Sequence, residues 1–208
     1  MSAAYRAALL VLPLVLAAAD RPTRKVILIV GPPGSGKTTQ AKHLSKKYSI
    51  PSINMADLLK RSAGFGKAGG GDKALRAQIQ SGELVEDSVA NDMMRTRLFQ
   101  KDATEGFILD GYPTTANQAA YLKALLNERG LPTPVVIHLT LADDVARKRM
   151  LARDDADDKP AIIESRLAEY HHESDTAVGQ FQGDVITIDG TPSEAQVWRA
   201  IEQALAKQ

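Results

Sequence analysis

The sequence has no cysteine, which excludes disulfides, thiol nucleophiles and cysteine-ligated zinc. Aromatic residues make up only 5%, too few for a surface that stacks successive bases. An excess of one charge is also missing: 26 Lys and Arg against 25 Asp and Glu leave +1, so no long-range field draws nucleic acid. Of the four histidines, His171 and His172 are adjacent on a predicted helix. Helical neighbours point about 100° apart, which makes them a solvated face and a poor shared metal site. Long apolar runs are lacking too, since the longest, at residues 7–16, is too short to span a bilayer stably. Neither a nucleic-acid partner nor a membrane span is expected. What remains is a 208-residue chain with 44% hydrophobic content, enough for one α/β domain of ordinary size, expected to be a monomer.

The N-terminus has a layout of its own. Arg6 precedes the apolar run, and Ala17-Ala18-Ala19 offers an A-x-A cleavage site before Asp20-Arg21-Pro22. Residues 1–22 therefore read as a signal peptide, with export to a periplasmic or extracellular space. The alternatives are an apolar N-terminal helix packed on the domain, or an upstream start, with the protein cytoplasmic. In every case the folded domain spans residues 23–208.

Strands and helices alternate from Lys25 onward, which predicts a parallel sheet with helices on both faces. Candidate strands are 25–30, 51–54, 106–110, 134–140 and 184–188. Candidate helices are 38–48, 86–100, 115–129, 143–153, 161–178 and 193–206, the last capped by Ser193. Its Val197, Trp198, Ile201 and Leu205 form one apolar stripe, which reads as core. Two regions break the alternation. Residues 54–100 show only short helical patterns around a glycine-rich loop at 64–71, which suggests a small helical insertion. Residues 154–160 form a short acidic connection.

The most informative motif is Gly31-Pro32-Pro33-Gly34-Ser35-Gly36-Lys37-Thr38, which fits G-x-x-x-x-G-K-[ST] at every fixed position. It follows a predicted strand and opens a predicted helix, the order that phosphate binding requires. Glycines let the backbone wrap phosphates closely, and the helix N-terminus supplies positive potential. Lys37 is placed to reach the β- and γ-phosphates, and the Thr38 hydroxyl to hold Mg²⁺. The ligand expected is a nucleoside triphosphate. Asp110 closes the apolar strand at 106–110, and a carboxylate at the C-terminal end of a parallel strand lies in the ligand crevice. Beside a P-loop its expected role is the Mg²⁺ hydration shell. Arg147, Lys148, Arg149, Arg153 and Arg166 flank the acidic connection, and Arg149 and Arg153 share a helix face at i, i+4. Guanidinium groups suit the charge that builds on a transferring phosphoryl group, although spacing alone is equally consistent with a solvated basic face.

Together, residues 31–39, Asp57-Leu58-Leu59, Gly82-Glu83-Leu84-Val85, the segment 106–113 with Gln118, and Asp157-Asp158 with Arg166-Leu167-Ala168-Glu169-Tyr170 resemble the adenylate kinase family, in its order and close to its spacing. The resemblance implies a P-loop three-layer α/β fold with a five-stranded parallel sheet. It also implies a helical monophosphate-binding insertion at 54–90 and a short lid at 154–160 in place of a zinc-bearing one. The activity implied is transfer of the ATP γ-phosphate to AMP with Mg²⁺. By matched position, Thr39 joins the loop in binding ATP, Arg149 stacks on the ATP adenine and Gly190 borders it. Lys37, Arg153 and Arg166 act on the transferring phosphoryl group. Asp57, Lys60, Glu83, Leu84, Val85, Gly111 and Gln118 line the acceptor site.

The chain also departs from the family. Thr114 stands where an arginine binds the AMP phosphate, Lys60 replaces another arginine with Arg61 adjacent, Met55-Ala56 replaces threonine-glycine, and Asp155 stands where a lid arginine is usual. Lysine cannot copy a bidentate fork and threonine carries no charge. The ATP half is nearly intact while the acceptor half is eroded. Two readings follow: a monophosphate kinase with reduced or shifted acceptor activity, or a kinase-like protein that binds ATP with little or no transfer.

Overall fold

Residues 26–30 are apolar without interruption because both sides of their strand are covered. In a computed structural model, which describes residues 24–64, 71–81, 85–153, 158–181 and 185–207 (side chains of 173–176 and 178 apart), five strands form one parallel sheet. They are β1 (Lys25–Val30), β2 (Ser52–Asn54), β3 (Gly106–Asp110), β4 (Val135–Thr140) and β5 (Val185–Asp189). The helices are α1 (Lys37–Tyr48), α2 (Met55–Ser62), α3 (Lys73–Ser81), α4 (Asp87–Leu98), α5 (Ala116–Glu128), α6 (Asp143–Arg153), α7 (Pro160–Gly179) and α8 (Glu194–Leu205). The strand order β2-β3-β1-β4-β5 puts β1 in the centre.

Alternation along β1 divides the core into two layers. Val26, Leu28 and Val30 face Met94 and Leu98 of α4 and Leu122, Leu125 and Leu126 of α5, with Phe107 and Leu109 of β3 beside them. Ile27 and Ile29 face Ala41 and Leu44 of α1 and Val197 and Ile201 of α8. Trp198 and Leu205 pack against this second layer from their partly buried positions, so the apolar stripe of α8 is core as expected.

The three-layer α/β fold and the five-stranded parallel sheet agree with the sequence reading, and most ends differ by one or two residues. The helix predicted at 86–100 is shorter because Phe99 leaves helical geometry and a 3₁₀ turn follows at Lys101–Ala103. The predicted helix at 161–178 starts one residue earlier, with Pro160 first, where its missing N–H leaves nothing unpaired. Ser193 and Gln196 close the start of α8 as a capping pair, the Gln196 Oε1 accepting from the Ser193 backbone N–H at 3.1 Å. Among the described residues, no helix is long and apolar enough to cross a membrane. The signal peptide expected at 1–22 lies outside the described residues.

Register places the chemistry. Asp110 is the cross-strand partner of Ile29 on one side and of Asn54 on the other. The C-terminal ends of β2, β3 and β1 therefore bring Asn54, Asp110 and the loop at 31–38 to the same edge of the sheet, the edge where open α/β sheets bind ligands.

Candidate active site

The loop after β1 turns on two glycines that no other residue replaces cheaply. At Gly31 the backbone has φ +144, and a Cβ there would stand 2.3 Å from the Leu139 carbonyl oxygen. Gly34 sits at φ +78 with the Ala146 carbonyl oxygen 3.0 Å from where its Cβ would be. Gly36 ends the loop as the N-cap of α1 in left-handed geometry, and no side chain caps that helix. The first N–H groups of α1 are thus left for a ligand, with the positive end of the helix dipole behind them. No acidic side chain lies in the first turn of α1 to offset that potential.

Lys37 follows directly. Its ammonium donates to the carbonyl oxygens of Gly31 at 2.7 Å and Pro32 at 2.9 Å. Burial pushes its pKa down from the ordinary lysine value, the Arg153 charge pushes the same way, and Asp110 opposes both. The next residue, Thr38, donates its hydroxyl to Asp110 Oδ2 at 2.6 Å. The Asp110 carboxylate is itself 2% exposed. Hydroxyl and carboxylate together form a hard oxygen donor pair at the foot of the loop.

Arginines come from the opposite half of the sheet. Arg149 on α6 donates to the carbonyl oxygens of Gly190 at 2.8 Å and Thr191 at 2.7 Å, tying α6 to the loop after β5. One turn later, Arg153 forms a two-pronged pair with Asp158, both bonds at 3.0 Å. Arg166 on α7 reaches the same carboxylate at 3.5 Å. The Asp158 side chain is 1% exposed and anchors both guanidinium groups.

These groups share one cavity of about 720 Å³. Its described lining includes Pro33, Gly34, Ser35, Gly36, Lys37, Thr38, Thr39, Asp110, Gly111, Arg149, Arg153, Arg166 and Gly190. Gly31 and Pro32 stand behind the loop and contribute the carbonyls that hold Lys37. On the acceptor side, Lys60, Val85, Gly111 and Gln118 line the same cavity, with Met55, Leu59, Ile79 and Ala90 as an apolar wall. Asp57 lies on the exposed face of α2, outside this lining, where its backbone N–H serves the helix cap. Glu83 and Leu84 lie outside the described residues, as does Asp155. The described lining carries five cations, Lys37, Lys60, Arg149, Arg153 and Arg166, against the carboxylates Asp110 and Glu194. That balance suits a polyanionic ligand.

Gln118 is 3% exposed and held from both ends of its amide. Its Oε1 accepts from the Thr114 N–H at 2.9 Å and the Thr114 hydroxyl at 3.1 Å, and its Nε2 donates to Asp87 Oδ1 at 2.8 Å. The Thr115 hydroxyl shares Asp87 and also caps α5. Thr114 thus serves to orient Gln118. Tyr112 lies beneath, fully buried, its hydroxyl donating to Asn91 Oδ1 at 2.6 Å, and burial raises its pKa well above the ordinary tyrosine value.

Sequence reasoning did not single out Asn54, nor the lining residues Ile79 and Glu194 or the Gln118 partner Asp87. The Asn54 Nδ2 donates to Asp110 Oδ2 at 2.5 Å while its Oδ1 accepts the Asp57 N–H at 3.0 Å. An asparagine between a short strand and a helix was a legible cap signal, but the pairing with Asp110 depends on strand register.

A glycine-rich loop at a helix N-terminus, a half-buried lysine, a hydroxyl–carboxylate pair and anchored arginines around one cavity define a P-loop phosphotransferase. A family model described as adenylate kinase matches residues 29–186. An adenylate kinase of Mesorhizobium japonicum is 37% identical over 191 residues, covering 86% of this chain and 96% of the relative. One from a Chelativorans species is 39% identical over 193 residues, covering 87% and 98%. One from Corynebacterium urealyticum is 36% identical over 181 residues, covering 87% and 99%. The chain belongs to the adenylate kinase family.

Proposed function

We propose that this chain transfers the γ-phosphoryl group of ATP to AMP, giving two ADP, with Mg²⁺. The observation that carries the reading is the convergence of Lys37, Thr38, Asp110, Arg149, Arg153 and Arg166 on one cavity in a member of this family. The loop at 31–39 binds the triphosphate through backbone N–H groups and Lys37. Arg149 and Gly190 border the ATP base. Arg153 and Arg166, positioned by Asp158, stabilise the charge spread over the equatorial oxygens of the transferring group. Lys60, Val85, Gly111 and Gln118 take the acceptor, together with Glu83 and Leu84. Residues 54–90 serve as the monophosphate-binding insertion, and 154–160 as a short lid that shields the reaction from water.

The residues present fit a magnesium ion. Mg²⁺ favours one or two carboxylate or hydroxyl oxygens plus substrate phosphates over an all-protein cage. Thr38 and Asp110 supply that pair, and among the described residues no cluster of three metal-ligating side chains competes with it. The ion would neutralise the developing charge on the bridging phosphate oxygens.

The acceptor half is where this chain departs from the family, and it is there that activity would be limited or shifted. Thr114 contributes no charge, and a lost charge-assisted contact costs about 1.5–3 kcal/mol. A coupled assay over AMP, GMP, CMP, UMP and dAMP tests the proposal, with AMP expected to turn over best. Thr114→Arg is expected to raise turnover at low AMP by roughly tenfold or more. Absence of turnover with every acceptor at high enzyme concentration would leave only ATP binding.

A further inference from the structure

Asp110 receives two bonds, and both end on the same oxygen. Thr38 Oγ1 and Asn54 Nδ2 each donate to Oδ2, at 2.6 and 2.5 Å, and Asn54 Nδ2 also lies 3.4 Å from Thr38 Oγ1. The Thr38 contact is part of the phosphate loop itself. The Asn54 contact comes from outside it, from the last residue of β2. The other end of the same amide caps α2, the first helix of the acceptor side, through the Asp57 N–H at 3.0 Å. A planar amide is rigid, so its two ends move together. Asn54 lines the cavity beside Met55 and Lys60.

We infer that Asn54 is a positioning residue that holds the metal-side carboxylate and the acceptor helix in one frame. By taking a lone pair of Oδ2, its amide fixes the rotation of the Asp110 carboxyl group. By capping α2 with its carbonyl, it sets where Lys60 and the apolar acceptor wall stand relative to that carboxyl. Loading the metal side is then felt on the acceptor side, and the linkage is reciprocal. This rests on the proposed function only for the identity of the acceptor. The role of Asn54 toward Asp110 concerns ATP and Mg²⁺ alone.

Asn54→Gly separates positioning from capping, because glycine is nearly as good an N-cap as asparagine but has no amide to offer. Asn54→Ser retains a capping hydroxyl one atom shorter than the amide. Calorimetry would measure ATP affinity with and without Mg²⁺ in wild type and both variants, alongside thermal unfolding. The expected result is a loss of about tenfold in the Mg²⁺-dependent gain in ATP affinity, with metal-free ATP affinity unchanged. A second measurement takes AMP affinity at saturating non-transferable ATP analogue, with and without Mg²⁺. Wild type is expected to show a several-fold Mg²⁺ effect, and Asn54→Gly none. An unchanged Mg²⁺ effect on ATP in Asn54→Gly overturns the inference. So does an equal loss with and without the ion, which would mean general damage to the fold. Failure of the proposed function itself would show differently, as wild type that binds Mg²⁺ and ATP but turns over no acceptor.

Discussion

Asp158 offers the sharpest test of how the arginines are held. Its carboxylate is almost fully buried yet accepts two bonds from Arg153 at 3.0 Å and a contact from Arg166 at 3.5 Å. Asp158→Asn keeps the shape and removes the charge. The amide nitrogen can then only face a guanidinium donor, so one of the two prongs is lost and the other becomes an ordinary hydrogen bond. For a fully buried pair, losing one partner costs about 3–5 kcal/mol. Here Arg153 is 52% exposed and Arg166 26%, so water recovers part of their solvation and the cost falls to about 2 kcal/mol. In a chain of this size that corresponds to a fall in Tm of about 4–8 °C. Urea unfolding would measure the loss directly, with the slope against denaturant unchanged. A loss below about 0.5 kcal/mol, or a gain, would refute the reasoning. It would mean that desolvating the carboxylate already offsets everything its partners contribute.

Other perturbations separate site from scaffold. ATP affinity is expected to start falling at a pH below the ordinary lysine value, because burial, with Arg153 in support, favours neutral Lys37. In the same window the unfolded chain binds more protons than the folded one, so the lysine's contribution to stability rises with pH while affinity falls. Calorimetric ATP titrations between pH 7 and 10.5 check this, and affinity that stays flat to 10.5 speaks against it. Phe107→Ala empties a fully buried position on β3 and is expected to cost about 3–5 kcal/mol in urea unfolding. Residual activity at low temperature should survive that change, because Phe107 lies in the core layer and outside the cavity lining.

Much of the site was legible because its chemistry is local. The loop at 31–38 carries its glycines, lysine and threonine within one turn, and the requirement for close backbone approach is written into the residue types. Arg149 and Arg153 share a helix face by spacing alone, yet spacing could not distinguish them from a solvated basic surface. The structure distinguishes them: Arg149 is held by the Gly190 and Thr191 carbonyl oxygens, and Asp158, read from the sequence only as part of the acidic connection and of a family motif, anchors Arg153 together with Arg166. Thr114 read as a plain loss of charge, whereas in the structure its backbone and hydroxyl orient Gln118. Asp57, matched to the acceptor site, turns out to face solvent, because helix α2 presents Lys60 and Leu59 inward instead.

The sequence by itself determined the phosphate loop and the alternating α/β pattern, because each depends on neighbours within a few residues. Only the tertiary structure decided which groups meet. Strand register sets Asn54 and Ile29 beside Asp110, and the strand order brings helices α6 and α7 round to the far side of the same cavity. Register and strand order are set by packing the whole sheet between its helices, and that packing is not encoded in any short stretch of chain.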